Sequence, residues 1–566
     1  MQNLKLAFRT LFKAPFVTAV AILSLALGIG ANTAIFSLFE QMLLRPLPVP
    51  APEQLVNLGA PGPKSGNTSC NTAGDCDQIF SYPMFRELER AQTVFTGLAG
   101  HRGESANLAV ERQTENGELM LVSGSYFPVL GLQPALGRLL GPADDQTVGA
   151  HPVAVLSYRY WETRLGADPA VLNKSVVVNG HPMTIIGVAP RGFEGTTLGI
   201  QPQVFVPVSM RRVLSPGSVE FENRQGYWIY AFGRLKPGVS VEQARAAMNA
   251  IYRPIINEVE APLHQGMSPQ TMAQFRAKEI TLTDGRRGQS EIHTGARTPL
   301  LLLFGITGIV LLSTCANIAN LLLARGASRT MEMAVRLSLG ASRRHVLTQL
   351  LTESCVLALL GGAASLLVAQ WTLAGIAAVL PPEASAMLRL DIQPAVVLFA
   401  AVLSLGTGLL FGLFPALHST RPDLVNTIRA NAGQIVGARS ANRFRSVLVT
   451  SQIALSMMLL ISAGLFLRSL MNVSRVDLGL QVDQVVTFAI SPELNGYEPA
   501  RSRVLFERVE EELATLPGVT GVSASLVPLL AGSNWANDVS VEGYTRIPGS
   551  DPNARYNAVG ANYFRT

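Results

Sequence analysis

The sequence predicts an integral membrane α-helical protein that carries mixed α/β domains outside the cytoplasm. Three observations predict it. The 566-residue chain is 48% hydrophobic and only 15% charged, whereas soluble domains carry about 25% charged residues. Five apolar runs, approximately Phe16–Phe39, Pro299–Ala324, Leu347–Leu380, Pro394–Leu417 and Ser446–Leu467, reach the ~20 residues that cross a ~30 Å hydrocarbon core. The stretch 40–298 between the first two runs is polar and mixes helical with strand patterning.

The runs are nearly free of charge. Glu353 is the one Asp, Glu, Lys or Arg within them, and an ionised residue at mid-bilayer costs about 2.5–3.5 kcal/mol. Lys5, Arg9 and Lys13 precede the first run, and Gly28, Gly30 and Ala31 are small, as in a cleaved signal. The run is nevertheless longer than the roughly 7–15 apolar residues of a signal peptide, and other runs follow, so it is read as a retained span.

Basic residues give the orientation. Arg325, Arg329, Arg336, Arg343 and Arg344 face only Glu332 between the second and third runs; Arg421, Arg429, Arg439, Arg443 and Arg445 face Asp423 between the fourth and fifth. Both connectors and the N-terminus are therefore expected in the cytoplasm. The expected organisation is a cytoplasmic segment 1–15, a span 16–39, an outer core domain 40–298, and a three-span domain 299–417 with a cytoplasmic coupling segment 325–346. A cytoplasmic linker 418–445, a span 446–467 and an incomplete second outer domain 468–566 follow. The net charge of +6 and pI near 9.2 then report topology, which removes the case for a nucleic-acid partner and leaves membrane lipid.

In the outer block, the Pro-rich Arg45–Pro50 is a stiff connector. Pro152–Leu156 and Ser175–Val188 read as strands, with Asn179-Gly180 as a primed hairpin turn. Ser240–Gln243 is a capping box opening a helix that should stop near Tyr252, ahead of Pro254, and Phe85–Arg90 suggests another helix. Cys70 and Cys76 bracket a short polar loop outside the cytoplasm, where a local disulfide or two free thiols are both open. Cys315 and Cys355 lie in or beside spans as small apolar filler. No H-E-x-x-H or G-x-S-x-G motif occurs, and Gly59–Ser65 has proline where a phosphate-binding loop needs glycine. The sequence therefore offers no catalytic residue, no metal ligand set and no nucleotide site. A driving energy must come from another chain.

In the coupling segment, apolar Met331, Val335 and Leu339, then Val346 and Leu350, suggest short amphipathic helices broken at Gly340. Gly408 to Gly412 should pack closely against a neighbouring helix. Val122-Ser123-Gly124-Ser125-Tyr126-Phe127 returns as Val559-Gly560-Ala561-Asn562-Tyr563-Phe564. The chain therefore reads as duplicated, with a truncated second copy.

Leu6–Leu11, then Ser24-Leu25-Ala26-Leu27-Gly28-Ile29-Gly30-Ala31-Asn32-Thr33-Ala34-Ile35-Phe36, then Leu44–Pro48, resemble the MacB/FtsX family of ABC transporter permeases. The long, duplicated, acidobacterial-type members are the most similar. The connector Glu332–Arg344 resembles that family's coupling segment, and residues 50–290 resemble its periplasmic core domain. The resemblance implies a bacterial inner-membrane permease without its own ATPase, working with a separate ABC ATPase subunit that binds the ATP. It implies export by mechanotransmission, with Glu332, Arg336, Gly340, Arg343 and Arg344 docking on the ATPase and a periplasmic adaptor or outer-membrane channel as a further partner. Two other functions fit the same residues: an FtsX-like transmitter that activates a cell-wall hydrolase, and a membrane-anchored binding module with no energy coupling.

Overall fold

The computed structural model describes residues 9, 15–110, 113–215, 221–264, 267–328, 342–380, 391–419, 439–476, 484–527, 536–539, 541–543 and 553–565. Two compact units are present: residues 1–44 with 294–483, and residues 45–293 with 484–566.

The first unit is helical. Among the described residues its five long helices are α1 (Pro15–Phe39), α2 (Arg297–Ser328), α3 (Arg343–Val379), α4 (Pro394–Ser419) and α5 (Arg439–Ser474). Helices are what unbroken apolar sequence must form in lipid, where every backbone N–H and C=O needs an internal partner. Pro15–Leu44, Ile292–Asn320, Arg344–Val379 and Val449–Ser474 are long and apolar enough to cross a bilayer, and Pro394–Leu410 is a shorter apolar stretch. Ala21, Leu25 and Ile29 of α1 pack with Leu311 and Cys315 of α2 and Leu357 of α3. Small residues allow the close approach: a Cβ on Gly408 would lie 2.9 Å from the Ala358 Cβ, and one on Gly412 would lie 2.6 Å from the Ser354 side chain. Asn32 Nδ2 donates to the Thr307 carbonyl at 2.8 Å, a polar tie between α1 and α2. Helix α5 is the barest, with Leu460 69% and Phe466 72% exposed.

The helix ends differ from the apolar runs. Helix α3 starts at Arg343, a turn before Leu347, because Ser342 caps it and accepts from His345 N at 3.3 Å. Helix α5 runs from Arg439 to Ser474, past both ends of its apolar run. Lipid thickness sets how much sequence must be apolar, whereas backbone bonding and caps set where a helix stops.

The second unit is built on one sheet of fourteen strands among the described residues. Its main strands are β1 (Leu55–Gly59), β2 (Ile79–Ser81), β3 (Phe95–Val110), β4 (Gln113–Val122), β5 (Val153–Leu156), β6 (Ser175–Val178), β7 (His181–Val188), β8 (Val204–Pro207), β9 (Gly226–Leu235) and β10 (Thr281–Asp284). The central order is β9-β3-β4-β8-β5-β7. Antiparallel β3–β4 pairs His101 with Val122, and parallel β4–β8 pairs Leu119 with Val204. On the other side, β1 lies antiparallel between β9 and β10. Strand β8 is buried along its whole length, and β9 is buried except at Arg234. Their side chains fill both faces, so they read as continuous apolar runs rather than alternating ones.

The β6–β7 hairpin turns at Asn179 (φ 49°) and Gly180 (φ 80°), the two left-handed positions that a primed two-residue turn requires. The helix Tyr82–Ala91 is capped by Ser81. The helix opened by the Ser240–Gln243 capping box does not stop ahead of Pro254. It includes Pro254 and continues as a π-helical turn, Ile255–Glu260. Pro254 has no N–H to bond one turn back, and the wider turn accommodates that loss while Ile256 and Glu260 stay buried, each 2% exposed.

Residues 484–565 add a helix, Pro499–Ala514, and short strands. Ser525 pairs antiparallel with Val559, Gly560 N donates to Ala524 O at 2.8 Å, and Tyr563 N donates to Gly560 O at 3.1 Å. The same local pattern follows the Tyr82–Ala91 helix. There His101 pairs with Val122, Ser123 N donates to Gly100 O at 2.8 Å, and Tyr126 N donates to Ser123 O at 3.0 Å. Tyr126 and Phe127 are buried, whereas Phe564 is 89% exposed.

Candidate functional site

Two stretches bear on function: the connector between α2 and α3, expected to lie in the cytoplasm and dock a partner, and the place where the outer unit takes up and releases the chain. Of the connector residues, Glu332, Arg336 and Gly340 lie outside the described residues. Arg343 is the first residue of α3, and Arg344 is exposed on its first turn.

The outer connections are fastened by hydrogen bonds. The chain enters through the Pro-rich segment, where Leu47 N donates to Arg286 O at 2.8 Å. It leaves after β10 through a strap, residues 285–292, that precedes α2. Gly285 N donates to Leu55 O at 2.9 Å on the edge of β1, and Gln289 N donates to Thr196 O at 2.9 Å. Asn57 Nδ2 donates to Gly288 O at 2.8 Å, and Ser290 Oγ donates to Leu198 O at 2.8 Å. Gly288 has φ +81°, and a side chain there would strike the Thr196 backbone, so glycine is required on both counts.

Under the strap, His101 Nε2 and Gln289 Oε1 are 2.7 Å apart, within a cage of Tyr126, Tyr230 and Phe232. Complete burial pushes the His101 imidazole down to about 4, with the Gln289 bond opposing. The ring is neutral at physiological pH, so Nε2 carries the hydrogen that Gln289 accepts.

Beside the strap, Cys70 and Cys76 are joined by a disulfide, S–S 2.02 Å, six residues apart. The loop between them is seated on Tyr230, whose hydroxyl accepts from Asn71 N at 2.8 Å and donates to Gly74 O at 2.7 Å. Asn71 Nδ2 donates to Gly103 O at 2.9 Å, and Ala73 is fully buried. At the loop's apex, Thr72 O accepts from Glu291 N of the strap at 2.9 Å.

Deeper in the sheet, Glu104 Oε1 accepts from Arg102 Nε at 2.9 Å, and Glu104 Oε2 accepts from Ser215 Oγ at 2.6 Å. Burial alone would raise the Glu104 carboxyl; Arg211 and Arg102 outweigh it and hold the group below its ordinary range. A small cavity elsewhere is lined by Lys64, Lys278, Glu260, Tyr227, Tyr252 and Phe275. Burial lowers Lys64 to about 8 against the pull of Asp77, and holds Lys278 well below its ordinary value. Glu260 is bound by Arg224 at 2.6 Å.

Among the described residues no group of three His, Cys, Asp or Glu could hold a metal ion. Glu104 is paired with Arg102 and Arg211 and Glu260 with Arg224, whereas Lys278 Nζ donates to the Pro63 carbonyl at 3.1 Å. The arrangement grips the chain where it enters and leaves, which is a mechanical capability. Sequence reasoning singled out the two cysteines but not Asn57, Thr72, His101 or Gln289. The available signal was the turn-rich Asp284-Gly285-Arg286-Arg287-Gly288 just ahead of the second apolar run.

Comparison with known proteins matches two domains in order along the chain. Residues 18–251 match a MacB-like periplasmic core domain, and residues 304–424 match an FtsX-like permease C-terminal domain. The pyoverdine export ATP-binding/permease protein PvdT of Pseudomonas syringae pv. tomato is 24% identical over 431 residues, 75% of this chain and 59% of that protein. The macrolide export ATP-binding/permease protein MacB of Marinobacter nauticus is 24% identical over 75% of this chain and 60% of its own length. The match thus spans about three-fifths of these two relatives. The uncharacterized ABC transporter permease YvrN of Bacillus subtilis is 23% identical, covering 76% of this chain and 99% of that protein. Among solved structures, the periplasmic region of MacB from Actinobacillus actinomycetemcomitans is 16% identical and covers 44% of this chain and 92% of that one, with a TM-score of 0.29. With both domains matched in order and relatives that are permeases of one kind, the chain belongs to the MacB/FtsX family of ABC transporter permeases.

Proposed function

We propose that this permease couples ATP hydrolysis by a separate nucleotide-binding subunit to a conformational change in its outer unit, and that the change drives export across the cell envelope. The observation that carries the reading is the strap. A segment leading directly into α2 is tied to the outer unit at Leu55, Asn57, Thr196 and Leu198. A movement of that helix is therefore handed to the sheet rather than lost in a loose linker. The export function named for PvdT and MacB supports the direction of the work, and the near-complete coverage of YvrN, a permease by name, supports an ATPase on another chain.

In this reading the bilayer is the bacterial inner membrane and the N-terminus is cytoplasmic, since the arginine-bearing connectors stay on the cytoplasmic side. Residues 325–346 dock the ATPase, with Glu332, Arg336, Arg343 and Arg344 making charged contacts and Gly340 giving the bend. Residues 499–565 are a second copy of the outer helix–strand–strand unit at 82–127; the recurring hydrogen bonds at Gly560 and Ser123 support this.

The test is co-purification from membranes with the candidate ATPase. Arg343→Glu with Arg344→Glu should reduce recovery of the ATPase at least tenfold while the outer unit keeps its fold. Unchanged recovery would remove the docking role. Export loss without change in cell-wall hydrolase activity supports export; the reverse result would assign the chain to hydrolase activation instead.

A further inference from the structure

The outer unit contains a covalent fastening whose state can change, and it bears on the strap. Cys70 and Cys76 close a loop of five intervening residues, 71–75. That loop presents the Thr72 carbonyl, which accepts from Glu291 N at 2.9 Å. Glu291 carries this backbone bond directly ahead of the Ile292–Gly295 turn and α2. Of the upstream strap anchors, Leu55 and Asn57 sit in β1, and Thr196 and Leu198 offer carbonyls of the loop between β7 and β8. The Thr72 anchor sits on a loop held by the disulfide, by Tyr230 and by Asn71. Cys70 is exposed, whereas Cys76 is half-buried and packs on the Tyr227–Tyr230 cluster.

We propose that the Cys70–Cys76 disulfide is a redox-sensitive clasp that fixes the helix-proximal end of the strap to the outer unit, and that a dithiol reductant releases it. A thiolate of the reductant attacks the exposed Cys70 Sγ. The S–S bond breaks, and its electron pair leaves on Cys76 Sγ, which takes a proton. The second thiol of the reductant displaces Cys70 from the mixed disulfide. The protein gains two electrons and two protons as two thiols, and the reductant ends as a disulfide. Opening the ring restores conformational freedom to residues 71–75 and moves the Thr72 carbonyl out of register with Glu291. The Asn57, Thr196 and Leu198 anchors are untouched, so the strap loosens at one end only. The functional consequence, weaker transmission from α2, rests on the export reading above; the clasp itself does not.

The experiment is hydrogen exchange on the full chain in lipid nanodiscs, oxidised and after treatment with dithiothreitol, without any ATPase. Reduction should raise exchange at least tenfold in peptides covering 289–293 and 70–76, and leave the β3–β4 ladder around Gly103 and Met120 protected. Tyr230→Phe, with the disulfide intact, should raise exchange in the 70–76 peptide and, less, in 289–293. Equal strap exchange in both redox states would overturn the proposal. So would loss of protection throughout the sheet on reduction, which would make the bond a general brace. Because no ATPase is present, failure here is distinct from failure of the docking experiment.

Discussion

Arg211 donates through Nε to Glu104 Oε1 at 2.8 Å, and its guanidinium lies 4.1 Å above the Trp228 ring. Glu104 also holds Arg102, so one carboxylate serves two buried guanidinium groups. Glu104→Gln should therefore destabilise the outer unit by about 3–5 kcal/mol, because both cations lose their counter-charge inside the sheet. Urea unfolding followed by the fluorescence of Trp228 checks this. An unchanged midpoint would show that the cluster is not held by the carboxylate.

His101 predicts a pH dependence with a defined sign. Its folded pKa, about 4, lies below the unfolded value of 6.5. The unfolded chain thus binds the proton first, and stability present above pH 6.5 is lost as pH falls through about 4. The shift corresponds to about 3 kcal/mol. Glu89, Glu118, Asp145 and Glu260, raised chiefly by burial, act in the opposite direction. The quantity to read is therefore the difference between the protein and His101→Leu, in which those carboxyls cancel. That difference should shrink steadily from pH 6.5 downwards; a constant difference would refute the assignment.

Helix packing in the first unit depends on Gly30. A Cβ there would lie 2.7 Å from the Val368 Cβ and 3.1 Å from the Ser365 carbonyl. Gly30→Val should lower thermal stability in detergent by about 1–3 kcal/mol through overpacking. Gly375→Ala, where nothing lies within 4 Å, should be silent. Equal effects of the two would argue that α1 and α3 do not meet at Gly30.

The two soluble faces should be chemically distinguishable. Single cysteines at His345 and Glu162, both exposed, are expected to react with an impermeant maleimide from opposite sides of the membrane, with Cys315 and Cys355 replaced. Labelling of both from one side would invert the orientation drawn from the arginine count.

The apolar helices were legible because lipid leaves little choice: a run without charge, as long as the hydrocarbon is thick, must be helical. The Asn179-Gly180 hairpin was legible because few residue pairs tolerate two positive φ angles. The helix through Pro254 was not, since burial of Ile256 and Glu260 carried it past a residue that ends helices by local rules. Strand β9 escaped notice because residues buried on both faces lose the alternation that marks a strand, and β3 because Gly97, Gly100 and Gly103 and the charged Arg102 and Glu104 interrupt its apolar pattern. The strap is harder still. Its anchors at Leu55, Thr72 and Thr196 are backbone carbonyls, which any sequence supplies, and only the fold brings them together.

The bond from Leu47 N to Arg286 O stitches the incoming connection to the outgoing one before either reaches the sheet. The outgoing strap carries further bonds at Gly285, Gly288, Gln289, Ser290 and Glu291, so a pull on it is shared among several ties to the outer unit rather than borne by one.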